Sequence, residues 1–112
     1  HILGRDKDLI ISGGYNIYPK ELEEILDDQD GVLESAVIGV PHNDFGETPV
    51  AVIVKETEIV PDLKIINNNL TKSLARYKHP KKIILVDELP RNTMGKVQKN
   101  ILRNQYKDLF KN

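Results

Sequence analysis

Lys96 stands directly behind Gly95 in the stretch Leu89-Pro90-Arg91-Asn92-Thr93-Met94-Gly95-Lys96-Val97-Gln98-Lys99, and no residue in the sequence is better placed to do chemistry. Gly95 removes the bulk that would hold a ligand phosphate or another backbone at a distance. Pro90 stiffens the way in, and Thr93 adds a short hydroxyl to the same loop. A lysine presented like this is a mobile point charge, suited to an anion. Taken alone, however, a Gly-Lys pair is most often a solvated lysine in a turn.

Other patterns test narrower chemistries. A phosphate-cradling P-loop needs glycine where Pro90 stands and a hydroxyl where Val97 stands, so Lys96 does not belong to one. Ser12-Gly13-Gly14 lacks the spacing of a dinucleotide fingerprint. His42, Asn43, Asp44 and Glu47 contain donor atoms, but a single histidine among acids reads as a hydrogen-bonded turn, and no metal is expected. No serine sits in a nucleophile elbow. The segment Arg76-Tyr77-Lys78-His79-Pro80-Lys81-Lys82 crowds cations around one aromatic. It could hold a nucleotide, rings against the base and lysines on phosphates. It is equally what a basic helix C-terminus looks like, since the helix dipole favours cations there.

These residues must be positioned by the elements around them. Leu9-Ile10-Ile11 and Tyr15-Asn16-Ile17-Tyr18, joined by Ser12-Gly13-Gly14, predict a β-hairpin. Pro19 opens a helix from Lys20 to about Asp28, with Tyr18, Leu22, Ile25 and Leu26 on one face and Gly31 beyond its end. The runs 35–40 and 49–54 are apolar without alternation, as expected of strands covered on both faces, with a loop over 41–47 between them. A second helix spans about Pro61 to Ala75, with the stripe Leu63, Ile66, Leu70 and Leu74, weakened by Asn67-Asn68-Asn69. A third buried strand, Lys82 to Val86, is expected to lead into the Lys96 loop. The last helix is expected from about Val97 to Phe110, with Leu102, Tyr106, Leu109 and Phe110 inward. The fold class is therefore α+β: a small three-stranded sheet with helices on both faces, plus a two-stranded hairpin.

Composition narrows the function classes. The 112 residues suffice for one domain with a real core. A net charge of −1 gives no global field for nucleic acid or an anionic membrane. The absence of cysteine removes disulfides, thiolate metal sites and cysteine nucleophiles. No apolar run approaches the ~20 residues of a membrane span, and no secretory signal opens the chain. The first residue is His1, which suggests a piece of a longer polypeptide.

Five motifs then stand in a shared order: Gly4-Arg5-Asp6-Lys7-Asp8; Ser12-Gly13-Gly14-Tyr15-Asn16-Ile17-Tyr18-Pro19-Lys20-Glu21; Gly39-Val40-Pro41-His42 through Gly46-Glu47; Tyr77-Lys78-His79-Pro80; and Pro90 through Lys96. Together they resemble the C-terminal domain of the adenylate-forming superfamily of acyl-CoA synthetases, adenylation domains and luciferases. The wording around Gly13 and Lys96 is most similar to malonyl-CoA synthetases within that family.

The resemblance implies an AMP-forming acid–CoA ligase. Carboxylate and MgATP give an acyl-adenylate and pyrophosphate, and the CoA thiol then displaces AMP. It implies that Lys96 is the catalytic lysine, contacting the carboxylate and α-phosphate oxygens. Lys7 matches the hinge about which the small domain turns between half-reactions, and Arg5 would contact the nucleotide ribose. Ser12, Gly13 and Gly14 would flank the pantetheine tunnel, where missing side chains let a thin chain pass. Tyr77, His79 and Lys81 match positions that hold the CoA nucleotide in some relatives. Residues 1–7 would be the hinge and end of an inter-domain linker, and 8–112 the C-terminal lid domain. ATP, Mg2+ and the acyl pocket would be held mostly by a large N-terminal domain, without which the chain is expected to be inactive. The implied partners are that domain, a small carboxylic acid (malonate first), ATP and CoA, without nucleic acid or a membrane span, in the cytoplasm. Three other readings stay open: a fatty-acid–CoA ligase of another chain length, a module loading a carrier protein, and a non-catalytic interaction domain.

Overall fold

The computed structural model describes residues 8–111. In chain order its elements are β1 (Ile10–Ser12), β2 (Tyr15–Ile17), α1 (Pro19–Asp27), β3 (Val32–His42), β4 (Gly46–Lys55), α2 (Leu63–Ser73), a single 3-10 turn (Arg76–Lys78), β5 (Lys82–Val86) and α3 (Lys99–Gln105). The two unbroken apolar runs become β3 and β4, an antiparallel pair in which Ile38 faces Val50, Val40 faces Thr48 and His42 faces Gly46. β5 lies parallel to β4, Val50 beside Lys82 through Val54 beside Val86; expected to be buried, it has no buried residue, because it pairs with β4 alone and forms an edge. The small hairpin β1–β2 joins the same edge of β4 end-on, through Ser12 opposite Gly46.

Residues 36–40 and 48–54 are buried, as their lack of alternation implies. Successive side chains of a strand point to opposite faces, so one pair of strands feeds two cores. On one face Val37, Ala51 and Ile53 meet Leu22 and Leu26 of α1, Ile66 and Leu70 of α2, and Ile10 and Ile17 of the hairpin. On the other, Ala36, Ile38, Val50 and Val52 meet Leu102 of α3 and Leu89 of the segment after β5, with Tyr106, Leu109 and Phe110 packed against them. The three-stranded sheet with helices on both faces and an added hairpin is the architecture the sequence led us to expect.

Several boundaries differ, each for a local reason. β3 runs on through Pro41 and β4 begins at Gly46, so only Asn43–Phe45 turn between them. Tyr18 caps the start of α1 and is exposed, which leaves Leu22, Ile25 and Leu26 to carry its apolar face. Leu63 likewise opens α2 and is exposed, while Ile66, Leu70 and Leu74 are buried. Asp62 caps that helix by accepting from the backbone N–H groups of Lys64 (3.0 Å) and Ile65 (3.3 Å). The asparagine run does not break α2, and Asn69 donates to Gln29 on the α1 side at 2.6 Å. α3 starts two residues later than expected because Val97 is bridged to Arg91, and it ends at Gln105. Gly31, at φ +86°, is required twice over: a Cβ there would lie 2.7 Å from the backbone of Pro61. Among the described residues no helix is long and apolar enough to cross a membrane.

Candidate functional site

The Lys96 loop is a built structure. Arg91 and Val97 form an antiparallel bridge, and the Asn92 N–H donates to the Lys96 carbonyl at 3.0 Å. Inside that ring the Asn92 side-chain oxygen accepts from the N–H groups of Met94 (2.9 Å) and Lys96 (3.0 Å). Asparagine's short carbonyl thus stands in for a backbone acceptor and closes the turn. Gly95 takes φ +83°, which L side chains avoid. Arg91 donates through Nη1 to the Gly95 carbonyl at 2.6 Å and pairs through Nη2 with Glu34 at the start of β3. Everything around Lys96 is therefore tied down except its side chain. Lys96 is exposed, and among the described residues its ammonium has no ion-pair partner. The result is a positive charge on a fixed mount, with its reach unspent.

A second surface forms at the opposite end of β3–β4. A cleft of about 260 Å³ is lined by Ser12, Gly13, Tyr15, Phe45, Thr48, Arg76, Tyr77, His79 and Lys81. It brings together five residues singled out in the sequence: Ser12, Gly13, Tyr77, His79 and Lys81. Gly14 does not line the cleft; it completes the adjoining turn at φ +87°. The Tyr15 and Tyr77 rings stack with centroids 4.6 Å apart and planes 27° from parallel. Lys81 places its ammonium 4.7 Å from the centre of the Phe45 ring, a cation–π contact that leaves its charge at the cleft. The Gly13 N–H donates to the Phe45 carbonyl at 2.8 Å, and Glu47 accepts from the Ile11 N–H at 2.9 Å. The Glu47 carboxylate occupies the space over Gly39, where a Cβ would lie 2.8 Å from it.

The basic segment divides its labour. Lys78 does not line the cleft: it pairs with Glu21 of α1 at 2.9 Å, its ammonium 5.7 Å from the centre of the Tyr77 ring. That hydrogen bond raises its pKa above the ordinary lysine value. His79 directs Nε2 at the Leu74 carbonyl, 3.1 Å away, which places a hydrogen on that nitrogen. Lys78 and His79 brace the turn from both sides, and Tyr77 and Lys81 face the cleft. His42 is likewise engaged: Nδ1 accepts from the Asp44 N–H at 3.0 Å, and the ring packs between Phe45 and Phe110.

Arg76, named in the sequence only as part of the basic segment, joins the cleft, whereas Tyr15, Phe45 and Thr48 were not singled out as cleft residues, nor was Asn92 as the keystone of the Lys96 loop. The Asn92 signal was available, as asparagine three residues before glycine suits an Asx turn. Tyr15, Phe45 and Thr48 gave none, because three distant segments meet to form the cleft. Arg5 and Lys7, assigned to ribose contact and the hinge, lie outside the described residues. Immediately after them Asp8 adopts φ +54° and is held from α3 by Lys99 and, at 3.6 Å, by Arg103. Lys99 also pairs with Glu23 of α1 at 2.7 Å.

The two surfaces are anchored far apart. Arg91 fastens the Lys96 loop at Glu34, while the cleft takes in Thr48, which faces Val40 across the ladder. Six residues of β3 separate these anchor points, roughly 20 Å at strand rise.

Comparison with known proteins gives the chain its relatives. The crystal structure of apo MatB from Rhodopseudomonas palustris superposes with a TM-score of 0.90 at 58% identity, covering 99% of this chain and 22% of that one. The long-chain-fatty-acid–CoA ligase FadD13 of Mycobacterium tuberculosis is 45% identical over 106 residues, 95% of this chain and 21% of its own length. A 2-succinylbenzoate–CoA ligase of Listeria monocytogenes is also 45% identical, over 94% of this chain and 22% of its own. The chain thus spans about a fifth of the length of the curated relatives it matches. The family model for the AMP-binding enzyme C-terminal domain matches residues 21–96, more than half of the chain, and the chain belongs to that family.

Proposed function

We propose that this chain is the mobile lid of an AMP-forming acid–CoA ligase, residues 8–112 forming the lid and residues 1–7 its hinge. The separation of its two surfaces carries the reading. A charged loop and an aromatic, cation-lined cleft, anchored about 20 Å apart along β3 of one packed unit, are not placed to meet the reacting atoms of one reaction centre at the same moment. They can serve it in turn.

In the first half-reaction Lys96 faces the reacting groups. A carboxylate attacking an α-phosphate brings anion to anion, and a cation reaching both stabilises the charge that develops between them. The loop around Asn92 supplies the positioning, so the lysine arrives with only its own side chain left to order. Arg5 contacts the ribose. In the second half-reaction the lid turns about Lys7, Lys96 leaves, and the Ser12–Gly14 turn with its cleft takes its place. The glycines admit the pantetheine arm, while Tyr77 and Lys81 receive the CoA nucleotide. His79 contributes by holding that turn.

Among the described residues no group of three or more His, Cys, Asp or Glu could hold a metal such as Mg2+. It belongs with ATP on the larger domain, which also selects the acid. Malonate is the leading acid, supported by the motif wording around Gly13 and Lys96 and by 58% identity to MatB. A long-chain fatty acid is the second reading, supported by the 45% identity to FadD13. The cytoplasmic setting implied by the resemblance belongs to the same proposal.

The test is Lys96→Ala in the complete ligase carrying this chain. Pyrophosphate release from acid and ATP should collapse, while thioester formation from supplied acyl-adenylate and CoA largely survives. Equal loss in both steps, or in neither, overturns the two-station reading. A panel of acids assayed on the unaltered ligase then identifies the substrate.

A further inference from the structure

Four charged side chains meet at Asp8, the first of the described residues, and they tie together parts of the chain that are far apart in sequence. Lys99, the first residue of α3, pairs with Asp8 and, at 2.7 Å, with Glu23 of α1. Arg103, one turn further along α3, brings its guanidinium to the other Asp8 oxygen at 3.6 Å. The Glu23 oxygen that receives Lys99 also accepts the Val37 N–H at 2.8 Å, on the edge strand β3. One ammonium thus joins Asp8, α1, the edge of the sheet and the start of α3.

Stability alone does not account for this cluster. Lys99, Glu23 and Arg103 keep about a fifth of their side-chain surface in water and Asp8 keeps 39%, and ion pairs so exposed contribute little. Asp8 also holds φ +54°, a conformation that residues other than glycine adopt at a cost and keep where their surroundings impose it. What the cluster does have is position. Asp8 follows directly on residues 1–7, and Lys99 stands three residues beyond Lys96. The Lys96 loop is fastened on its upstream side, where Arg91 pairs with Glu34. Lys99 fastens the downstream side.

We propose that Lys99 is a positioning residue: by holding Asp8 against Glu23 it locks the exit of the hinge to the Lys96 loop, so that a turn at the hinge reaches Lys96 without slack. The proposal rests on the reading of residues 1–7 as the hinge of a lid. Freed from Lys99, Asp8 would become a second joint, and an added joint spreads the positions of everything beyond it. Lys96 is the group most sensitive to that spread, because a single charge acts only in register with the reacting atoms. The cleft, with several weak contacts, tolerates a small tilt.

The experiment compares Asp8→Asn, Lys99→Met, their double variant and Lys99→Arg in the complete ligase carrying this chain. Asparagine tolerates the left-handed conformation as aspartate does, so Asp8→Asn removes the charge and keeps the backbone preference. Each of Asp8→Asn and Lys99→Met should lower kcat for adenylation about 10-fold, the cost of a small misplacement. Thioester formation from supplied acyl-adenylate should stay close to the unaltered rate. The double variant should be no slower than Lys99→Met, since both changes remove one tie. Lys99→Arg, which keeps the charge, should recover most of the adenylation rate. Equal losses in both half-reactions, tracking a fall in melting temperature, would overturn positioning in favour of plain stabilisation. Additive losses in the double variant would overturn the Asp8–Lys99 tie. Unchanged adenylation in Asp8→Asn and Lys99→Met, with Lys96→Ala abolishing it, would overturn the coupling and leave the lid reading standing. If Lys96→Ala also left adenylation intact, both would fall together.

Discussion

The Lys96 loop and the Tyr15–Tyr77 cleft are built on opposite plans. The loop is one contiguous stretch, Arg91 to Val97, closed by its own backbone and by Asn92, and it presents a single charge to solvent. The cleft is assembled from segments around Gly13, Phe45 and Tyr77, and it offers ring faces and cations. The contrast matches the demands of the two proposed steps. Stabilising a developing charge needs one cation held in register and little else. Recognising a nucleotide needs several weak contacts spread over a surface, which a single loop cannot supply.

That contrast can be broken in a definite order. Lys96→Ala should cost adenylation about 10²- to 10³-fold, the usual worth of one preorganised charge-stabilising group. Stopped-flow measurement of pyrophosphate release would read the loss. Asn92→Ala leaves the lysine in place but removes the acceptor for two N–H groups. Adenylation should fall about 10-fold through misplacement, with about 1 kcal/mol lost from stability, and thioester formation should be spared. Tyr77→Ala acts on the other surface: KM for CoA should rise about 5- to 10-fold, the lower end of what aromatic–base stacking provides, with adenylation unaffected. The smallest effect belongs to Lys78→Met, which removes the tie between the basic turn and Glu21. An exposed ion pair contributes little, so KM for CoA should change by about 2-fold or less. Because the Lys78 pKa is raised, that tie is complete below the ordinary lysine pKa and is lost only as pH climbs through the raised value. The Lys78→Met effect should therefore be constant across neutral pH. Should Asn92→Ala and Tyr77→Ala impair both half-reactions equally, the division between the surfaces would be lost.

How much of this was legible in the sequence follows the same division. The Lys96 loop could be read because its chemistry is contiguous: proline, asparagine, glycine and lysine announce a turn and a charge within seven residues. The central strands could be read because runs without alternation leave no face for water. Boundaries were less legible wherever a tertiary partner decided them. Val97 is withdrawn from α3 by its bridge to Arg91, and Pro41 stays in β3 because Glu47 faces it across the ladder. Tyr18 and Leu63 sit at helix starts, where periodicity is weakest, and both point outward. The cleft was half legible. Tyr77, His79 and Lys81 could be named, but Tyr15, Phe45 and Thr48 are distant in sequence and meet them only because β1 docks on the end of β4.

The burial of β3 and β4 on both faces has a mechanical consequence. A strand pair clamped between two cores behaves as a beam, stiff along its length, and the two functional ends are its tips. A beam turned at its root carries both tips with it and cannot shorten the span between them. Any motion that exchanges one tip for the other at a fixed point must therefore sweep at least that span, roughly 20 Å. On the proposed reading, partial closure of a few ångströms would leave both tips idle, so such a lid would have two working positions and no useful intermediate.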